Sequence, residues 1–214
     1  MEIASAVQTE RYWKYALGLA LFTIFYNLLE GLVSAFFGVS DEALTLFGFG
    51  VDSFIEVLSG VGILAMVLRI RRNPETPRSR FERTALRVTG TAFYLLVIGL
   101  AITAIHNLVV GHKPETTWPG VIISLLSIAT MSALVAAKRH VGQALDSAPI
   151  LADANCTLVC IWMSVVLLIS SAVYALTGFG FVDALGALGL IWFSYREGRE
   201  AFEKAAGMQE CHCD

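Results

Sequence analysis

The stretch ADANCTLVCIWMSVVLLISSAVYAL, residues 152–176, sets an acid, an amide and two cysteines at the head of an unbroken apolar run. From Ile161 to Leu176 it holds no charged residue. With the residues before it, the run is long enough for a helix to cross a hydrocarbon core of about 30 Å, which takes about 20 residues. Lipid offers no partner to a polar group. A charged side chain at the bilayer centre costs about 2.5–3.5 kcal/mol even on lenient insertion scales. Asp153, Asn155, Cys156 and Cys160, all able to coordinate a cation, therefore read as functional residues on a membrane helix.

The rest of the chain has the same character. Of its 214 residues 56% are hydrophobic and 15% charged, and a mean hydropathy of +0.67 excludes an ordinary soluble domain. Six segments are long and apolar enough to span, or nearly so: 15–37, 44–68, 88–110, 118–137, 150–176 and 180–195. The expected fold is an all-α membrane protein with six transmembrane helices, which leave almost nothing for a soluble domain. The last span is short and leans on Trp192 and Tyr195 to reach the interfaces. Residues 1–14 read as an N-terminal segment, 15–195 as the transmembrane domain and 196–214 as a short tail. In that tail REGREAFEKAAGMQ carries charges at helical spacing and continues the last helix. The opening MEIASAVQTERYWKYALGLALF is a poor secretory signal, because acids precede an overlong apolar run with no small-residue cleavage site after it. It reads as retained.

Positive charge sets the orientation. Arg11 and Lys14 precede the first span, and Arg69, Arg71, Arg72, Arg78, Arg80, Arg83 and Arg87 lie between the second and third. Lys138 and Arg139 follow the fourth span, Arg196, Arg199 and Lys204 follow the sixth, and the opposite loops hold only Lys113. Fourteen of fifteen on one side predicts that both termini are cytoplasmic. RIRRNPETPRSRFER, residues 69–83, is then an inner loop broken by two prolines, and its arginines read first as a topology determinant.

The second span carries GVDSFIEVLSG, in which Asp52 and Glu56 lie four residues apart and so on one helical face. Two ionised acids on one face repel, and a cation or a proton must relieve them. Cys156 and Cys160 repeat the spacing on the fifth span, with Asp153 one turn earlier. Alone, either cysteine would read as a small packing residue. A disulfide between them would strain the bond's preferred separation and torsion, so both read as thiols. Two helices, each offering such a pair, can close four oxygen and sulfur donors around one cation, as tetrahedral zinc-like ions prefer. Asp52, Glu56, Cys156 and Cys160 are the expected metal ligands.

Other positions are secondary. Asn27 and Glu30, three apart in the first span, read either as lining the same path or as helix-packing residues, and Asp153 as a further path residue; Asp183 caps the sixth helix or joins that path. His106, His112 and Glu115 read as interfacial residues, and Gly48, Gly50, Gly60 and Gly62 let the second helix approach its neighbours closely. The terminal Cys211, His212 and Cys213 offer a weak or shared capture site for metal.

These motifs resemble those of the cation diffusion facilitator family, six-helix divalent-metal/proton antiporters. SDEALTLFGFGVDSFIEVLSG is similar to the family's second-helix region, where an acid or histidine precedes an acid by four residues, here Asp52 and Glu56. LADANCTLVCIWMSVVLLIS resembles the fifth helix, whose usual histidine and aspartate ligands fall on Cys156 and Cys160, and GFGFVDALGALGLIWFSYREGRE resembles the sixth, with Asp183 as its early aspartate. The resemblance implies efflux of a divalent metal, with Zn2+ or Cd2+ as substrate and protons as counter-ion, by alternating access in a homodimer. It implies no enzyme activity, no organic cofactor and no nucleic-acid partner. Two departures stand out. The family's cytoplasmic metal-binding domain has no counterpart in these residues, which suggests a short branch lacking it. The cysteine pair favours zinc, cadmium or softer ions over manganese and magnesium. A signal-free chain of this kind fits a prokaryotic inner membrane. The rival readings are a membrane thiol oxidoreductase using Cys156 and Cys160, disfavoured by their spacing within one helix and by the unexplained Asp52 and Glu56, and a metal sensor that does not transport.

Overall fold

The computed structural model describes residues 2–40, 44–73, 77–110, 118–177 and 181–210. Among them are six helices and no strand: α1 Glu2–Ser40, α2 Leu44–Arg72, α3 Arg78–Val110, α4 Trp118–Ala144, α5 Ala148–Thr177 and α6 Phe181–Glu210. Five carry segments long and apolar enough to cross a membrane, Gln8–Phe37, Phe49–Arg72, Arg78–His106, Val121–Ala144 and Ala148–Val166. The expected six-helix, all-α architecture is present. The sixth helix is not among the five spans, and the side chains of its residues 181–186 lie outside the described set.

The helices face outward with their apolar sides. On α1, Phe25, Leu29, Leu32 and Phe36 are exposed, while Thr23, Asn27, Glu30 and Ser34, at alternating spacings of four and three, are buried. A soluble helix would show the reverse. In lipid the outer solvent is apolar, and polar groups must find partners inside the protein.

Neighbouring helices form a ring in the order α1, α2, α3, α6, α5, α4 and back to α1, with α5 also touching α2 and α3 across the middle. Two glycine pairs draw neighbours together. A Cβ on Gly50 would stand 2.9 Å from the Gly31 carbonyl oxygen and from the Ala35 nitrogen, so α1 and α2 meet backbone to backbone. Gly90 of α3 and Gly198 of α6 do the same work, each open to the other's carbonyl oxygen. Phe202 stacks on Tyr94 along this contact at 5.6 Å between ring centroids.

The tail beyond residue 195 continues α6 to Glu210 along α3, where Ala201 and Ala205 pack on Leu86. Its charges pair one turn apart, Arg199 with Glu203 and Lys204 with Glu200; the hydrogen bond from Lys204 holds the Glu200 carboxyl below its ordinary value. The fourth helix does not stop at residue 137 but runs to Ala144. Lys138 therefore lies within α4, where it is buried, rather than in a flanking loop.

A three-residue turn joins α4 to α5. Asp146 adopts φ 48, in the left-handed region where Asp is better tolerated than most residues. Its N–H bonds the Gln143 carbonyl at 3.2 Å, while the Ser147 N–H reaches the Gly142 carbonyl at 2.9 Å, a left-handed helix cap. Arg78 of α3 seals this cap, donating to the Leu145 carbonyl at 2.7 Å and the Asp146 carbonyl at 3.0 Å. The same guanidinium pairs with Glu82 and lies over the Trp13 ring at 5.1 Å. Beneath it Trp13, Ala16, Ala20, Ile63, Met66, Val67, Val141 and Ile150 close that end of the bundle with apolar packing.

Candidate metal centre

Each turn of α2 from Asp52 onward presents a polar residue to the interior: Asp52, Glu56 and Ser59, all buried. The facing side of α5 does likewise with Asp153, Thr157, Cys160 and Ser164. Spacings of four and three keep such a series on one stripe of a 3.6-residue helix. Both stripes point into the ring, and they meet.

The Cys160 thiol is the meeting point. Its sulfur lies 2.8 Å from Asp52 Oδ2 and 2.9 Å from Glu56 Oε2. One thiol carries one proton, so a bifurcated bond or a proton on one of the carboxyls must close this triangle. The other Glu56 oxygen, Oε1, accepts from the Thr157 hydroxyl. Lys138 Nζ lies 3.7 Å from Oε1 and 2.7 Å from Asp153 Oδ2, and donates to Thr157 Oγ1 at 2.7 Å. Asp153 Oδ1 accepts from Ser59 at 2.6 Å, and Ser59 meets Thr89 of α3 at 3.0 Å. Three carboxyls, one ammonium, one thiol and three hydroxyls thus form one buried network across α2, α3, α4 and α5.

The expected ligands divide. Asp52, Glu56 and Cys160 come together, whereas Cys156, also a free thiol, packs with Phe93, Leu96, Val159 and Leu190. It stays within electrostatic reach of Glu56, Asp153 and Asp52. Asn155 turns to the opposite side of α5, donating to Glu197 of α6 at 2.7 Å and accepting from Arg139 at 3.3 Å. Among the described residues no group of three or more His, Cys, Asp or Glu is set in ion-ready geometry. The donors are turned on one another and on Lys138, so an ion must replace contacts already made.

Glu30 lies beside this network, accepting from Ser53 at 3.0 Å and from Tyr26 at 3.3 Å. Asn27 donates to the Thr23 carbonyl, while its Oδ1 and the hydroxyls of Ser34 and Ser124 have no hydrogen-bond partner among the described residues. Asp183 stands in the first turn of α6, with its side chain outside the described set. His106 is exposed on α3. His112, Glu115, Cys211, His212 and Cys213 lie outside the described residues.

A family model described as the cation efflux transmembrane domain matches residues 20–207. The chain belongs to the cation efflux family. The matched region of this cation efflux protein contains every residue of the network, from Asp52 to Cys160, and makes the chain an integral membrane protein. The chain is also similar to transmembrane protein 163 of Xenopus laevis, 29% identical over 168 residues, which cover 78% of this chain and 58% of that protein. It thus spans less than two thirds of that relative's length.

Lys138, Thr157, Ser59 and Thr89 are the members of the network that sequence reading leaves out. A signal for three of them is present: Ser59 continues the Asp52 and Glu56 stripe, Thr157 the Asp153 and Cys160 stripe, and the run LVAAKRHVGQA holds no helix breaker before Gly142.

Proposed function

We propose that the chain carries a divalent transition-metal ion, zinc or cadmium foremost, across the membrane by alternating access in exchange for protons. Asp52, Glu56 and Cys160 bind it, and Cys156, one turn from Cys160, completes the set. The observation that carries this reading is the convergence of two α2 carboxyls and an α5 thiol inside a ring of membrane helices.

Charge supports it. Taking Lys138 and Asp153 as a neutral pair, Asp52 and Glu56 leave two negative charges, the complement of one divalent ion or of two protons. Binding the ion requires carboxylates and favours thiolate, so it releases protons, and reprotonation favours release of the ion. Sulfur donors weight selectivity toward zinc and cadmium rather than magnesium or manganese. The apolar packing beneath Arg78 closes one end of the bundle, as a carrier open to one side at a time requires. In this reading the termini are cytoplasmic, the flux is outward across a prokaryotic inner membrane, and the chain works as a homodimer. Asn27, Glu30, Asp153 and Asp183 serve the ion's path, and Cys211, His212 and Cys213 capture metal ahead of the site.

The test is zinc and cadmium flux into proteoliposomes holding the purified protein, with an internal pH dye. Wild-type vesicles should move both ions with opposite proton movement, and Asp52→Asn and Glu56→Gln should each abolish it. Silent wild-type vesicles would remove the transport reading; undiminished flux through both variants would remove the site.

A further inference from the structure

Lys138 is the only buried Lys or Arg among the described residues, 1% exposed. An ammonium held inside a membrane bundle is costly unless fixed opposite charge compensates it. Its partners are asymmetric. Asp153 Oδ2 and Thr157 Oγ1 each lie 2.7 Å from Nζ, whereas Glu56 Oε1 lies at 3.7 Å. Glu56 is thus shared, one oxygen facing the ammonium and the other the Cys160 thiol beside Asp52.

We infer that Lys138 is an intramolecular counter-cation of the transport site: its ammonium holds Glu56 in the metal-free protein and competes with the divalent ion for that carboxylate. This rests on the assignment of Glu56 to the site made above. The chemistry follows from the tether. A metal ion drawing Glu56 in brings two positive charges beside an ammonium that cannot leave, and the two repel. Lys138 can only withdraw toward Asp153, which Ser59 and Thr89 hold in place. The ion therefore binds against a standing competitor, which weakens its hold and eases its release. The same competitor discriminates by charge. A monovalent ion brings Glu56 no more charge than the ammonium already supplies, whereas a divalent ion brings twice as much, so sodium and potassium gain nothing by entering. Lys138 is a specificity-determining positioning residue, acting on the ion through Glu56.

The experiment measures Zn2+ and Cd2+ binding to the purified full chain in detergent by calorimetry, with and without excess Na+, and needs no transport. In Lys138→Met the dissociation constant should fall by about tenfold or more, equivalent to about 1.4 kcal/mol. Binding in this variant should also become sensitive to Na+, to which the wild type is indifferent. Lys138→Arg, which keeps the charge, should retain weak, sodium-insensitive binding. Because Lys138→Met strands Asp153, the double variant Lys138→Met/Asp153→Asn decides the matter if the single one does not fold, and it too should bind more tightly than the wild type. Unchanged or weakened binding in the folded Lys138→Met variants, single or double, overturns the inference and leaves the site standing. A wild type that binds neither ion overturns the site, and the inference with it.

Discussion

Lys138 and Asp153 form an ion pair of 2.7 Å between α4 and α5, with side chains only 2% and 1% exposed. Breaking such a pair on one side leaves a charge in a low-dielectric interior and typically costs about 3–5 kcal/mol, whereas removing both charges is far milder. Asp153→Ala should therefore lower unfolding stability in detergent by about that much, and Lys138→Met/Asp153→Asn should recover most of the loss. Equal losses in the single and double variants would show that the pair is not what holds α4 to α5 here.

Thr157 sits between two charged groups, donating to Glu56 and accepting from Lys138. Thr157→Val keeps the volume and removes both bonds, leaving partners buried and short of one contact each, a loss of about 1–3 kcal/mol. Thr157→Ser should restore it. Thermal unfolding of the three proteins side by side is the measurement, and a valine variant as stable as the wild type would contradict the bridge.

The two cysteines should part company. Cys160 lies against both carboxyls and Cys156 within apolar packing. Cys160→Ser is expected to weaken cadmium binding by about tenfold or more and zinc binding by less, since the softer ion depends more on sulfur. Cys156→Ser should have the smaller effect on both. Calorimetry with each ion checks this, and the reverse order would make Cys156 the principal thiol.

Gly50 and Gly18 give opposite signs. A side chain at Gly50 meets the backbone of α1, which has no room to give, while one at Gly18 meets nothing within 4 Å. Gly50→Ala should cost about 1–3 kcal/mol, and Gly18→Ala should be neutral or stabilise by up to about 1 kcal/mol through helix propensity. Unfolding in detergent compares them directly.

What the sequence disclosed depended on how unusual each residue is in lipid. Asp52, Glu56, Cys156 and Cys160 announce themselves because acids are costly in an apolar run and paired spacing aligns them. Thr157 and Ser59 do not, since a hydroxyl in a membrane helix can satisfy itself on its own backbone, as Ser164 does on the Cys160 carbonyl at 3.0 Å. Lys138 misleads more actively. Followed by Arg139 at the end of an apolar segment, it has the look of an interfacial anchor, and only the uninterrupted helix to Ala144 and the facing acid on α5 turn it inward. Spacing alone does not tell the two cysteines apart: Cys160 lies on the stripe that runs through Thr157, while Cys156, four residues earlier, packs with Phe93, Leu96, Val159 and Leu190.

The glycine contact of α1 with α2 and the three-residue turn between α4 and α5 bind four of the six helices into two blocks, and at the depth of the site the blocks are stitched together by polar groups. Cys160 reaches Asp52 and Glu56, Thr157 and Lys138 reach Glu56, and Ser59 reaches Asp153, each crossing from one block to the other. Water can take the place of either partner in such a stitch, so this seam can unpick as it wets, while α1 cannot leave α2 without prising backbone from backbone. In the proposed cycle, parting of this seam would carry Lys138 and Asp153 together with α4 and α5 and leave the two acids of α2 to be neutralised by whatever enters from outside the protein.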